Sequence, residues 1–514
     1  MELSEFKNKI LDLCNVAEVR EVSAVLLNVV LSNNTDFYEK YNKITDDTKD
    51  WLQALWQYYE ADRTDKKQDY TPRCLCNLVS ALAGNCNCFY DCCSGSGALS
   101  VAMLEDRKQT QYIFAVELDE NVIPFLLFNL CLHNATGFVI NGNVLTEEKK
   151  KVYKLKSGTK YSTVIEVQKP NIVNEIKNIS LDVVVSNPPY NIKWNPPTPV
   201  EMDSRFPVIP PASDANYAFV LHCLSKANKV VMILPNGVMT QENEIDIRKY
   251  LVDNDLIETI VALPERMFEV TGIPTCIIVL NKNKNKKHKG QVTFVDSRKN
   301  CTIQIREQNG QFGGASHTNR TYKKQYNVLS QEHTKKILSA VDEQGEVIGF
   351  SAKTNNEEIA KNNYTLQPSR YIEIENKEGQ HRDFQQIADN INYISRMCNS
   401  CKLVINETVA KQLGFDVEQH KRSKESSKLI SEQMKSMGIK INVEDYIQFT
   451  KAKNEFCFKC NDKENLPDIL LQFLSIWKNQ VSLLNTMQNQ YLAELRDAML
   501  PDLISGKINV DNLK

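Results

Sequence analysis

Apolar residues recur at helical spacing from Phe6 through Leu13 and again around Trp51–Tyr58, which predicts helices across residues 1–65. The pattern changes at residue 66. Short β-branched or aromatic runs now alternate with helical stretches: Cys88–Cys92, Ala115–Glu117, Phe138–Ile140, Val183–Val185, Lys229–Leu234, Glu258–Leu263 and Ile273–Leu280. That alternation over 66–300 predicts a Rossmann-like, doubly wound α/β sheet. Residues 301–375 read as a connector, with a loop over the polar stretch Gln304–Arg320. Residues 376–460 read as polar and helical. In 461–514 a single long helix is expected over 466–500, because apolar residues from Leu470 to Ala498 follow a 4-3 spacing broken only by Gln488. Pro501 ends it.

Composition narrows the class. A chain of 514 residues has room for roughly three domains. The formal net charge of −2 is low for a protein that grips nucleic acid alone, so such contact must be local or shared with a partner. The apolar run Val22–Leu31 is about half the length that spans a bilayer, and MELSEFKNKI has no apolar signal core. A cytoplasmic protein without a membrane association is expected. Fifteen cysteines, many inside apolar segments (Cys131, Cys223, Cys276), read as small core residues in a reducing compartment. The pairs Cys398/Cys401 and Cys457/Cys460 lie much farther apart than zinc knuckles do, and no metal site is assigned.

The chemistry concentrates at strand ends. In an open α/β sheet ligands bind beyond the carboxyl ends of parallel strands. Val183–Val185 runs into Ser186 and then Asn187-Pro188-Pro189-Tyr190. Two prolines stop the strand and stiffen the loop. The amide oxygen of Asn187 and the carbonyl of Pro188 can accept two hydrogen bonds from one amino group, and Tyr190 offers a flat face. This is a receptor for a nucleobase with an exocyclic amine. Cys88–Cys92 contains Asp91 and leads into Ser94-Gly95-Ser96-Gly97 and a helix, a layout that brings a cofactor close to the backbone. Glu117 ends the next strand, where a carboxylate can accept from both ribose hydroxyls. Asn143 lies near the end of the following strand, where its amide could meet an adenine amine. Gln68-Asp69-Tyr70-Thr71-Pro72-Arg73 precedes the turn and reads as a helix start. His222 reads as a packing histidine, and Lys282–Lys289 as a solvated hairpin tip.

Together QDYTPR (68–73), DCCSGSGALS (91–100), AVELDENVIPFLLFNLCLHNA (115–135), SNPPY (186–190), NYAFVLHCL (216–224) and ETIVALPERMFEVTGIPTCIIVLNK (258–282) resemble the modification (M) subunits of type I restriction–modification systems. The resemblance covers roughly residues 60–375, in the right order. It implies an adenine-specific DNA N6-methyltransferase that uses S-adenosyl-L-methionine. Catalysis would fall to Asn187, Pro188, Pro189 and Tyr190. The cofactor would be held by Gln68, Tyr70, Thr71, Pro72, Arg73, Asp91, Ser94, Gly95, Ser96, Gly97, Glu117 and Asn143. Double-stranded DNA, a specificity (S) subunit, a restriction subunit and a second copy of the chain are the implied partners. Four features depart from the family: Cys92 follows Asp91 where a proline is usual, Asn143 stands where an aspartate is common, the N-terminal helical region is short, and LAELRDAMLPDLISGKI (492–508) resembles the end of an S-subunit helix. The alternatives are methylation of RNA adenine or a protein glutamine amide, and a non-catalytic assembly subunit that binds S-adenosylmethionine or DNA.

Overall fold

The computed structural model describes residues 2–45, 50–60, 71–105, 112–167, 180–195, 203–268, 272–309, 321–344 and 346–373, with 386, 389–390, 393–394, 447–452, 455–460 and 486–494 beyond them. Contacts divide the chain into Met1–Glu375 and Asn376–Lys514.

In the first unit four helices come first: α1 (Leu3–Cys14), α2 (Val19–Leu31), α3 (Thr35–Ile44) and α4 (Trp51–Tyr59). Asn34 and Asp50 cap α3 and α4 by accepting from the third backbone N–H beyond each. Helix α5 (Arg73–Ala83) leads into strand β1 (Cys88–Asp91), α6 (Ala98–Glu105), β2 (Tyr112–Glu117), α7 (Ile123–Leu132) and β3 (Thr136–Asn143). Then come β4 (Glu148–Lys156), β5 (Thr163–Glu166), β6 (Val183–Ser186), α8 (Asn216–Lys226), β7 (Lys229–Pro235), α9 (Ile245–Asp253), β8 (Ile257–Ala262), β9 (Thr275–Asn281) and β10 (Gln291–Asp296). The hairpin β11 (Thr302–Asn309) and β12 (Thr321–Val328) follows, and β13 (Ser351–Asn355) is the last strand of this unit.

The main sheet has the order β13-β10-β8-β9-β7-β6-β1-β2-β3-β4-β5. Strands β7, β6, β1, β2 and β3 run parallel, and β9 is inserted antiparallel between β7 and β8. This is the Rossmann-like, doubly wound sheet the alternation predicted. The central strands are buried on both faces, as a parallel sheet covered by helices requires. Tyr112 to Glu117 pair with Thr136 to Asn141, and Phe89 to Asp91 pair with Val183 to Val185. The strand ends bearing Asp91, Glu117 and Ser186 therefore share one edge. Asp182 fixes the opposite edge by accepting from the backbone of Asn87 and Cys88 at 2.7 and 3.0 Å.

Four sequence readings need correction. Residues 301–375 are more than a connector, because β13 pairs antiparallel with β10 and extends the sheet beyond residue 300. Within the expected loop Gln304–Arg320, residues as far as Asn309 belong to β11; the alternation Thr-Ile-Gln-Ile-Arg is a strand period, masked by its polar composition. The helical reading of 376–460 fails at its end, where Ile447–Ala452 and Glu455–Cys460 form an antiparallel hairpin with Thr450 opposite Cys457. Cys398 and Cys401 lie outside the described residues, and no group of three metal-binding side chains occurs among those described. Of the long helix, 486–494 is helical and the remainder of its seam lies outside the described residues. Lys284 is not solvated as expected; it is buried and pairs with Asp255 at 2.6 Å. No helix among the described residues is long and apolar enough to cross a membrane.

The N-terminal helices join the sheet layer through aromatic packing. Phe128 on α7 is fully buried, with ring centroids 5.9, 4.9 and 5.0 Å from Phe37, Tyr38 and Tyr41 on α3. Edge-on and tilted rings fill this seam in preferred geometries. Truncation should open a cavity that these rings cannot close. Phe128→Ala is expected to lower stability by about 3–5 kcal/mol, measured by urea denaturation; a loss below about 1 kcal/mol would show that the seam does not hold the helices.

Candidate active site

The glycine turn follows β1. Ser94 donates its backbone N–H to Val116 O at 3.0 Å and its hydroxyl to Asp91 O at 2.9 Å, and Gly97 N–H closes on Ser94 O at 2.8 Å. Gly95 and Gly97 have φ of 54° and 96°, and a Cβ on Gly97 would stand 2.9 Å from Leu126 Cδ1. Gly97 is thus required both by its backbone conformation and by the helix packed behind it.

Glu117 meets this turn from β2. Its Oε2 accepts from Gly95 N–H and its Oε1 from Asp119 N–H, each at 2.8 Å. Burial raises its pKa above the ordinary range, opposed by those two backbone donors. Each oxygen keeps a lone pair for a hydroxyl donor. Leu118, the next residue, is 48% exposed and offers an apolar face beside that carboxylate. Only its position after the acidic strand end could have pointed to Leu118 from the sequence.

Asp91 is fully buried. Its Oδ2 accepts from Ser100 Oγ at 2.7 Å, while its Oδ1 and the buried Ser96 Oγ have no hydrogen-bond partner among the described residues. Orphaned polar atoms under a ligand-facing turn call for a ligand or bound water. These atoms, the glycine cradle and the free lone pairs of Glu117 fit the hydroxyl-rich, cationic S-adenosylmethionine that the resemblance implies.

The second half of the site follows β6. The half-buried Asn187 donates from Nδ2 to Thr71 Oγ1 at 2.9 Å and accepts at Oδ1 from the Tyr190 hydroxyl at 2.5 Å. Its carboxamide is thereby oriented, with nitrogen toward Thr71 and oxygen toward Tyr190. Pro188 is buried and Pro189 half-buried. Tyr190 is 9% exposed, its ring edge-on to the buried Phe268 at 6.1 Å. The two halves touch: Cys92 Sγ, one residue past Asp91, donates to Ser186 Oγ at 3.1 Å and lies 3.4 Å from Cys223 Sγ.

Other expected residues are placed differently. Thr71 orients the Asn187 amide, and Pro72 caps α5. Arg73 pairs with Glu105, the last residue of α6, about 12 Å along that helix from the turn. That ion pair directs its side chain to Glu105. Asn143 Oδ1 accepts from Leu145 and Thr146 N–H at 2.9 and 3.4 Å, so its oxygen closes a turn instead of opening toward an adenine amine. Gln68 and Tyr70 lie outside the described residues.

Parallel strands around a central β1, the inverted β9 between β7 and β8 and a glycine turn answered by an acidic strand end define a methyltransferase of the Rossmann-like class. Residues 46–380 match the N-6 DNA methylase family, and the chain belongs to it. Among curated relatives, the methylase subunit of type I restriction enzyme MpnII of Mycoplasma pneumoniae is 27% identical over 60% of this chain and 53% of its own length. The MjaIX methylase subunit of Methanocaldococcus jannaschii is 26% identical over 63% and 56%. The chain thus spans a little over half the length of these relatives. The crystal structure of a type I restriction–modification methyltransferase subunit from Streptococcus thermophilus shares the fold, with a TM-score of 0.50 and 22% identity over 72% of this chain and 80% of that one.

Burial moves the Asp91 carboxyl from an ordinary 3.8 up to about 8, with Ser100 opposing. A raised acid makes the fold more stable when protonated. That stability is complete below about pH 4 and is lost as the pH climbs toward 8, at up to about 1.4 kcal/mol per pH unit. Asp91→Asn should flatten this slope. Urea midpoints between pH 5 and 8 test it, and a variant with the wild-type slope refutes the assignment.

Proposed function

We propose that the chain is an adenine-specific DNA N6-methyltransferase, acting as the modification subunit of a type I-like restriction–modification complex. Double-stranded DNA would be the substrate and an S-type subunit the partner that selects the sequence. The observation that carries this reading is the oriented Asn187 amide on the strand beside the glycine turn.

S-adenosylmethionine supplies an already activated methyl group when bound, so the protein needs no covalent nucleophile. The difficulty lies in the acceptor, whose N6 lone pair is delocalised into the purine ring. Asn187 Oδ1 and the Pro188 carbonyl would each accept one N6 hydrogen and favour a pyramidal nitrogen. The lone pair then points at the methyl group, and stabilisation grows as charge develops. The base must leave the duplex to reach this notch. Beside the Tyr190 hydroxyl Oδ1 keeps one lone pair for an N6 hydrogen, and the Tyr190 ring would stack on the purine. Glu117 and the glycine turn would hold the ribose, with Leu118 against the adenine of the cofactor. A restriction subunit and a second copy of the chain complete the proposed assembly.

Two variants divide these roles. Asn187→Ala should abolish methyl incorporation into DNA while leaving S-adenosylhomocysteine affinity within about twofold; Glu117→Ala should weaken that affinity at least tenfold. Radiolabel transfer, with and without a co-expressed S-type subunit, and calorimetry read both. Near-wild-type turnover in Asn187→Ala would remove the amide from the mechanism. RNA or protein labelling in place of DNA would favour the other planar amines.

The Tyr190 hydroxyl occupies one lone pair of Oδ1, whereas its ring is the proposed stacking surface. Tyr190→Phe should keep turnover within a few-fold, and Tyr190→Ala should lose it by at least a hundredfold. Equal losses in the two variants would contradict the stacking role.

A further inference from the structure

A buried arginine links the segment after the notch to the turn after β3. Arg205 belongs to the segment that follows the Asn187–Tyr190 notch, and only 7% of its side chain is exposed. Asp203 neutralises it, accepting from Nε at 2.9 and 3.0 Å and from Nη2 at 2.5 Å. The rest of the guanidinium reaches away from its own segment. Nη1 donates to Val144 O at 2.8 Å and Nη2 to Leu145 O at 2.9 Å. These carbonyls belong to the turn after β3, the same turn that Asn143 closes.

That turn borders the cofactor corner. Asn141, near the end of β3, donates from Nδ2 to the carbonyls of Glu117 and Leu118, each at 3.1 Å. On its other side Arg205 is fixed to the notch. Its guanidinium lies over the Phe206 ring at 5.0 Å, and Phe206 packs on Trp194 at 5.3 Å, four residues beyond Tyr190. Trp194 is itself pinned, with its indole N–H on Pro211 O at 3.0 Å. Nη1 also donates to His222 Nδ1 at 3.0 Å, and His222 Nε2 faces the Tyr90 hydroxyl at 3.2 Å. Because an arginine can only donate, Nδ1 is the acceptor and the ring proton resides on Nε2. Tyr90 is the residue before Asp91. One side chain thus connects the substrate segment, the β3–β4 turn, helix α8 and β1.

We propose that Arg205 is a positioning residue for the adenosine end of the cofactor site, holding the Val144–Leu145 turn against the Glu117–Leu118 strand end and tying it to the segment that follows the notch. This rests on the methyltransferase reading above. Lysine keeps the charge but has no planar fork, so it cannot serve two adjacent carbonyls and a histidine together. The consequence should fall on the half of the cofactor beside that turn.

The test is calorimetric binding of S-adenosylhomocysteine and of 5′-methylthioadenosine, which carries the adenosine but lacks the amino-acid tail, to the full-length chain. Arg205→Lys should weaken both by about tenfold, in equal proportion, with KM for S-adenosylmethionine rising more than kcat falls. Asp203→Asn, which keeps the guanidinium but loosens its anchor, should weaken both in the same direction by a smaller factor. In Arg205→Ala, millimolar guanidinium should restore part of the lost affinity, which a generally loosened fold would not do. If Arg205→Lys does not fold, Asp203→Asn decides the matter alone. Unchanged affinity for both ligands in a folded variant overturns the proposal, as does a loss confined to the ligand with the amino-acid tail. Failure of the wild-type chain to bind either ligand would instead strike the methyltransferase reading.

Discussion

The parallel pairing of β1 with β6 is the constraint on which the site depends. Asp91 stands beside Val185, so the glycine turn and the Asn187 loop must leave the sheet at the same edge. A slip of one residue in this register would turn both buried sets of side chains to the opposite faces. The hydrophobic layers therefore specify the register, and the register places the two loops together. Cys92 and Ser186 join them again just beyond the last paired residues. Substituting cysteine for the usual proline leaves this position free to donate a hydrogen bond across the gap, which a proline side chain cannot do.

Much of this was legible in the chain because it is written locally. The strand runs around β1, β2, β6 and β7 are short and aromatic or β-branched, as double burial favours. The glycine turn, Glu117 and Asn187 each follow such a run directly, so their placement needed only the rule that ligands gather at carboxyl ends. What escaped was set by distant partners. β11 hid behind polar residues because its stability comes from pairing with β12. β4, opening with the lysine-rich Glu148–Lys151, carries little local strand signal and is held by β3, and β5 pairs in turn with β4.

The same distinction separates the site residues. Thr71 looked like part of a helix start, and nothing nearby in the sequence links it to Asn187, 116 positions on. Arg73, in the same short motif, is claimed by Glu105 at the far end of α6. His222 read as a core histidine, and its burial agrees: desolvation lowers it to about 4, so it stays neutral. Its partners, Arg205 and Tyr90, come from separate elements and make it a polar junction within the core. A sequence pattern reports which face a residue occupies; it is silent about which backbone carbonyls a long side chain will find.

The short bond between the Tyr190 hydroxyl and Asn187 Oδ1 bears on molecular discrimination. At rest the amide oxygen accepts one hydrogen from the Tyr190 hydroxyl and keeps one lone pair, so an arriving base gains there only by supplying a hydrogen. An exocyclic amine supplies it and brings a second hydrogen for the neighbouring carbonyl. A keto oxygen cannot: thymine or the O6 edge of guanine would confront two acceptors with a third and leave its own oxygen without a donor in a partly dry pocket. On the proposed reading, the notch rejects the wrong base by electrostatics before any methyl group is at stake.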